Sequence, residues 1–137
     1  MSTARLFTIT TVLTVGAVVV WGVKALVIGL AGGLDKSPLE SPLFIIGLVL
    51  YVLGVIAIGL AVTVGRSVPV RVVGVVVAFG LGILATLALD AIVGSMAPAN
   101  DPHWVWSEVQ LWIVSVVTAG VWFALRNRAA PVSPLAT

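Results

Sequence analysis

The chain has 137 residues, of which 61% are hydrophobic and only 9% charged, against about 25% charged in an ordinary soluble domain. That composition excludes a soluble globular fold, and the length fits one domain. The net charge of +2 does not point to nucleic acid, because the basic residues lie beside hydrophobic runs and form no patch of their own. Cysteine is absent, which excludes disulfides, thiolate metal sites and a lipoprotein anchor. The richness in Val, Ala, Leu and Gly, with five Arg against two Lys, points to a GC-rich bacterial genome of the actinobacterial type.

The first apolar run extends over 6–31 and is interrupted only by Lys24. A membrane-spanning helix needs about 20 apolar residues, since the hydrocarbon core is ~30 Å thick and each helical residue rises ~1.5 Å. The run is too long, and too charged at Lys24, for a cleaved signal peptide, so it reads as a retained span. Gly32-Gly33 closes it. The second run, 43–64, carries no charge; Ser41 is expected to cap it, with Pro42 at its first helical position. Pro69 marks a short second loop. The third run, 72–96, is interrupted by Asp90, and Pro98 and Pro102 punctuate the loop that follows. The fourth covers about 107–126, and 129–137 reads as a flexible tail with two Pro. Each span must be helical, because backbone polar groups facing lipid have no water partner. The runs also lack the alternation of barrel strands. The predicted fold is all-α: a polytopic four-transmembrane-helix bundle over residues 1–128.

Charge sets the orientation. Arg5, Arg66, Arg71, Arg126 and Arg128 fall at the N-terminus, in the second loop and at the C-terminus, which share one side when there are four crossings. Asp35, Glu40, Asp101 and Glu108 lie in or beside the other two loops. The positive-inside rule then predicts cytoplasmic termini and a multi-pass protein of the bacterial inner membrane. Trp104 and Trp106 are expected in the outer aromatic belt, with the five arginines as anchors at the inner interface.

An ionisable residue inside a span costs about 2.5–3.5 kcal/mol on insertion scales and so needs a reason. Lys24 follows Arg5 by 19 residues, and Asp90 follows Arg71 by 19. At ~1.5 Å per residue both lie about 28 Å along outward-running helices. Equal depth predicts an intramembrane ion pair, Lys24 with Asp90, joining helices one and three. The competing reading has each residue lining a wet crevice or meeting a headgroup. The inner two thirds of all four spans hold no Asp, Glu, His, Lys or Arg, which argues for a structural clamp over a proton relay.

Small residues let helices approach closely in lipid. Helix three carries Gly74, Ala78, Gly82 and Thr86 at spacing four, a stripe ending on Asp90. Helix two carries Gly54, Ala57, Ala61 and Gly65. These are read as helix-packing or partner faces, serving the bundle itself, another membrane subunit or a second copy of the chain. In the third loop, Asp101, His103 and Glu108 lack metal-site spacing, and the chain has neither a catalytic set nor a phosphate-cradling glycine loop. No cofactor and no enzymatic activity are expected. The leading functional expectation is a small accessory or scaffolding subunit of a larger inner-membrane assembly of the lipid-import, secretion or respiratory kind. The alternative is a small dimeric transporter or channel with Lys24 and Asp90 as its coupling pair.

Overall fold

In a computed structural model the chain is all-helical. The structure describes residues 2–32, 37–96 and 103–129, the first five residues of the fourth helix and residue 129 by backbone alone. The helices are α1 (Thr3–Ala31), α2 (Glu40–Val62), α3 (Val68–Met96) and α4 (His103–Ala129). All four are long and apolar enough to cross a membrane. The 29 residues of α1 and of α3 correspond to about 43 Å, more than the ~30 Å core, so both helices reach past the hydrocarbon or tilt within it.

The termini of these helices follow local chemistry. The Ser2 side chain caps α1 by accepting from the Arg5 amide at 3.1 Å. Gly32 ends it in the left-handed region at φ 90°, where its amide donates to the Gly29 carbonyl. The expected Ser41 cap of α2 is not what forms. The helix starts at Glu40 behind Leu39, so Ser41 and Pro42 sit inside its first turn, where a missing amide costs nothing. Pro69 likewise lies in the first turn of α3 rather than in the loop. Gly65, expected on a packing face of α2, is instead the exposed turn residue between α2 and α3, at φ 80° with no atom near its missing side chain. A position past the end of the helix no longer follows the helical stripe.

The order is up-down-up-down. Phe7 near the start of α1 meets Trp122 near the end of α4, and Gly59 late in α2 abuts Val75 early in α3. All five arginines therefore lie at one end of the bundle. α1 packs on α2 and α4, α3 packs on α2 and α4, α2 touches α4 across the diagonal, and α1 and α3 make no contact among the described residues.

The seam is heptad-like. On α1 the buried positions Phe7, Thr10, Thr14, Ala17, Trp21, Lys24 and Ile28 alternate steps of three and four. On α2, Gly47, Tyr51, Gly54, Ile58 and Ala61 do the same. This is the 3.5-residue period of left-handed helix pairs crossing near +20°. Small residues admit large ones: a methyl on Gly47 would overlap the Trp21 indole, and one on Gly54 would lie 3.1 Å from the Thr14 methyl. Two apolar clusters fill the interior. One comprises Leu6, Phe7, Ile58, Ala61 and Trp122 at the arginine end; the other comprises Ala17, Trp21, Tyr51, Val55 and Val114 further along. The hydroxyls of Thr8, Thr10, Thr11 and Thr14 each donate to a carbonyl four residues back, which satisfies them where water is absent.

The helix α3 stands apart. None of its residues is buried, whereas 28–33% of each other span is. The interior is thus an α1–α2–α4 core, and α3 is laid along one flank.

Candidate functional site

The heptad seams bring the charged site together. Lys24 occupies a seam position of α1, seven residues before its end at Ala31. On α4, Glu108, Ser115 and Trp122 are buried at steps of seven, and Glu108 lies five residues after the helix start. In antiparallel neighbours these offsets are about 10 Å and about 8 Å from the same end of the bundle, so the two groups meet at one level. The Lys24 ammonium donates to Glu108 Oε1 in a buried ion pair, both side chains being only 5% exposed.

Aromatic groups surround the pair. The Lys24 Nζ sits 5.5 Å from the centroid of the Phe44 ring, within cation–π range. Trp21, one turn inward, donates from Nε1 to the Phe44 carbonyl at 3.4 Å and lies against the Tyr51 ring at 5.6 Å. The Trp112 indole lies over Gly22, where a methyl would stand 3.4 Å from its Nε1. The second carboxylate oxygen, Glu108 Oε2, is buried and accepts no hydrogen bond. A buried ion pair repays its desolvation only partly, but removing one member strands the other. Sealed from water, the pair acts as a clamp that fixes the register of α1 against α4.

The expected partner, Asp90, is elsewhere. It is exposed on α3, and no ion pair or hydrogen bond engages its carboxylate among the described residues. Lys24 therefore pairs with Glu108, not Asp90, and a Lys24–Asp90 coupling pair is not formed. The reason is angular. Each step of four residues rotates a helical stripe by about 40°, so Asp90 points about 160° away from Gly74. Gly74 of α3 packs against α2, where a methyl on it would be 3.2 Å from the Gly59 carbonyl, and a methyl on Gly82 would be 3.4 Å from Val55. By Asp90 the stripe has turned off the bundle. A shared offset along the helix axis says nothing about the direction in which each side chain points. At the very start of the fourth span, Glu108 reads from sequence as one of the loop-side acids; its spacing of seven from Ser115 is the signal that turns it inward.

The other expected residues fall as follows. Gly54, Ala57 and Ala61 are buried on α2, and Ala78 packs against the second apolar cluster. The Thr86 hydroxyl donates to the Gly82 carbonyl at 2.9 Å and lines a shallow apolar recess with Tyr51. At the arginine end, Arg71 reaches back to the Leu60 carbonyl at 3.3 Å, satisfying an orphan acceptor in the last turn of α2. Arg126 meets the Thr11 hydroxyl at 3.4 Å, and Trp122 Nε1 donates to the same oxygen at 2.9 Å. Arg5, Arg66 and Arg128 are exposed. Trp104 and Trp106 are helical in backbone, but their side chains, like those of His103 and Ser107, lie outside the described residues, as do Asp35, Lys36, Asp101 and the segment 130–137.

A long apolar groove separates α3 from the core. It has a volume of about 540 Å³ and is lined by Ile58 on α2, Gly74, Ala78 and Ala85 on α3, and Val117 and Val121 on α4. Residues of three helices thus face a space that no described side chain fills. Comparison with protein-family models, curated proteins and solved structures finds no match to this chain.

Proposed function

We propose that this chain is a small, non-enzymatic accessory or scaffolding subunit of a larger bacterial inner-membrane complex of the lipid-import, secretion or respiratory kind, with both termini in the cytoplasm. The observation that carries the reading is α3. This helix of 29 residues buries none of them, although beyond the small residues it packs on α2 it holds Gly80 and Gly94, with open space at the missing side chain, and an exposed carboxylate that a lipid-facing helix does not need. The groove beside it adds unfilled apolar surface from three helices. Among the described residues, the charged pair inside the bundle is buried and suits holding helices together more than turning over a substrate. The arginine distribution supports the orientation.

Extraction of native membranes in a mild detergent, followed by native electrophoresis and mass spectrometry, tests this reading. The chain is expected to migrate in an assembly of fixed stoichiometry with other membrane proteins. A free monomer, or a homodimer alone, would count against it.

A further inference from the structure

We propose that the outer half of α3, around Asp90, is a docking surface for a transmembrane helix of a different protein, one that carries a lysine or arginine at the level of Asp90. The proposal rests on the subunit reading and specifies the partner's chemistry. Asp90 lies six residues before the end of α3, about 9 Å below it. Its side chain is short and leans toward the helix N-terminus, away from that end, so it does not snorkel to the headgroups. The 19 residues from Arg71 place Asp90 about 28 Å along α3, close to the outer edge of the ~30 Å core, where an opposite charge on a neighbouring helix would stabilise a carboxylate. Inside the bundle the equivalent problem of Lys24 is solved by Glu108, while Asp90 has no partner among the described residues. Charge complementarity therefore calls for a cation from outside.

The surrounding surface suits a helix. Leu84 and Leu87 beside Asp90 are 62% and 60% exposed, and methyls placed on Gly80 and Gly94 would meet no atom within 4 Å. Gly94 is exposed and Gly80 half-buried, and glycines a few turns apart with open space at the missing side chain let a partner backbone approach closely. A second copy of this chain is the wrong occupant. The one basic residue at this depth within its described spans, Lys24, is 4% exposed and already bound to Glu108. A parallel α3–α3 contact would also set one Asp90 against another.

The test places a photo-crosslinking amino acid at Leu87 of the full chain in its native membrane, in backgrounds carrying Asp90, Asp90→Glu, Asp90→Asn and Asp90→Lys. The expected result is one protein adduct whose cross-linked peptide comes from a transmembrane helix of another protein, with Lys or Arg within a turn of the link. Its yield should be kept with Asp90→Glu, fall about tenfold with Asp90→Asn, a change of one decade in affinity, and vanish with Asp90→Lys. Asp90 is exposed and makes no hydrogen bond or ion pair with a described residue, so Asp90→Asn is expected to leave the bundle folded, and an unchanged Lys24–Glu108 coupling checks this. Adducts with the chain itself, adducts with lipid only, or a protein adduct indifferent to Asp90→Lys would overturn the proposal. If the chain remains in a large assembly while Leu87 yields no protein adduct, the docking surface is wrong and the subunit reading stands. A free monomer removes both.

Discussion

Breaking the α1–α4 clamp is the perturbation with the largest effect expected from a single side chain. Lys24→Met removes the one donor to Glu108 Oε1 among the described residues, and Oε2 already lacks one, so a 4%-exposed carboxylate is left without a described hydrogen-bond partner. Stranding one member of a buried pair costs about 3–5 kcal/mol. Glu108→Leu strands the ammonium with only the Phe44 face beside it, and a loss of similar size is expected. The double variant Lys24→Met/Glu108→Leu replaces both charges with apolar groups of similar bulk and should return to within roughly 1–2 kcal/mol of the parent. Equilibrium unfolding in mixed micelles, followed by the fluorescence of buried Trp21 and Trp122, measures each corner of the cycle. The 24/108 cycle should show a coupling of several kcal/mol. A cycle of Lys24→Met with Asp90→Leu should be additive to about 0.3–0.5 kcal/mol, as for sites without shared partners. Additivity at 24/108, or coupling at 24/90, would refute the assignment of the pair.

Three further outcomes follow from packing. Gly47→Ala drives a methyl into the buried Trp21 indole and should destabilise the α1–α2 seam by about 1–3 kcal/mol, whereas Gly80→Ala in the isolated chain should be neutral or stabilising by up to ~1 kcal/mol, both read by the same unfolding assay. Gly59→Ala puts a methyl 2.7 Å from Val75 Cα, backbone that has no rotamer to yield; faster amide exchange across α3, with α1 unchanged, is the expected readout. Trp122→Phe keeps the edge contact with Phe7 but loses the 2.9 Å bond to Thr11, and a loss of about 1 kcal/mol is expected in the same titration.

The spans were legible because membrane insertion depends on length and apolarity, both one-dimensional properties: the expected 6–31, 43–64, 72–96 and 107–126 lie within a few residues of the helices observed. What escaped was azimuth. Lys24 and Asp90 share an offset of 19 residues from an arginine, yet α1 and α3 make no contact among the described residues. The clue lay in period rather than composition: Phe7, Thr10, Thr14, Ala17, Trp21 and Lys24 fall on a strict heptad seam that marks Lys24 as inward-facing. Glu108, one heptad before Ser115, carries the same mark, and Asp90 falls off the stripe of Gly74 and Ala78 by drift. The peripheral place of α3 had no sequence signal, since its residues are as apolar and as small as those of α2. Gly65 and Ser41 show the limits of reading single residues, because a shift of two residues at each end of α2 moved each from its expected role.

The absence of cysteine makes the most direct test simple, because single thiols can be placed at will. Cysteines replacing Leu39 and Ser95 lie at one end of the bundle, and those replacing Ser67 and Asn127 lie at the arginine end. In intact bacterial cells a membrane-impermeant thiol reagent should label Leu39→Cys and Ser95→Cys, and should reach Ser67→Cys and Asn127→Cys only after the membrane is opened. Labelling of Ser67→Cys from outside, or of Leu39→Cys and Ser95→Cys from opposite sides, would contradict a four-crossing bundle with its arginines in the cytoplasm.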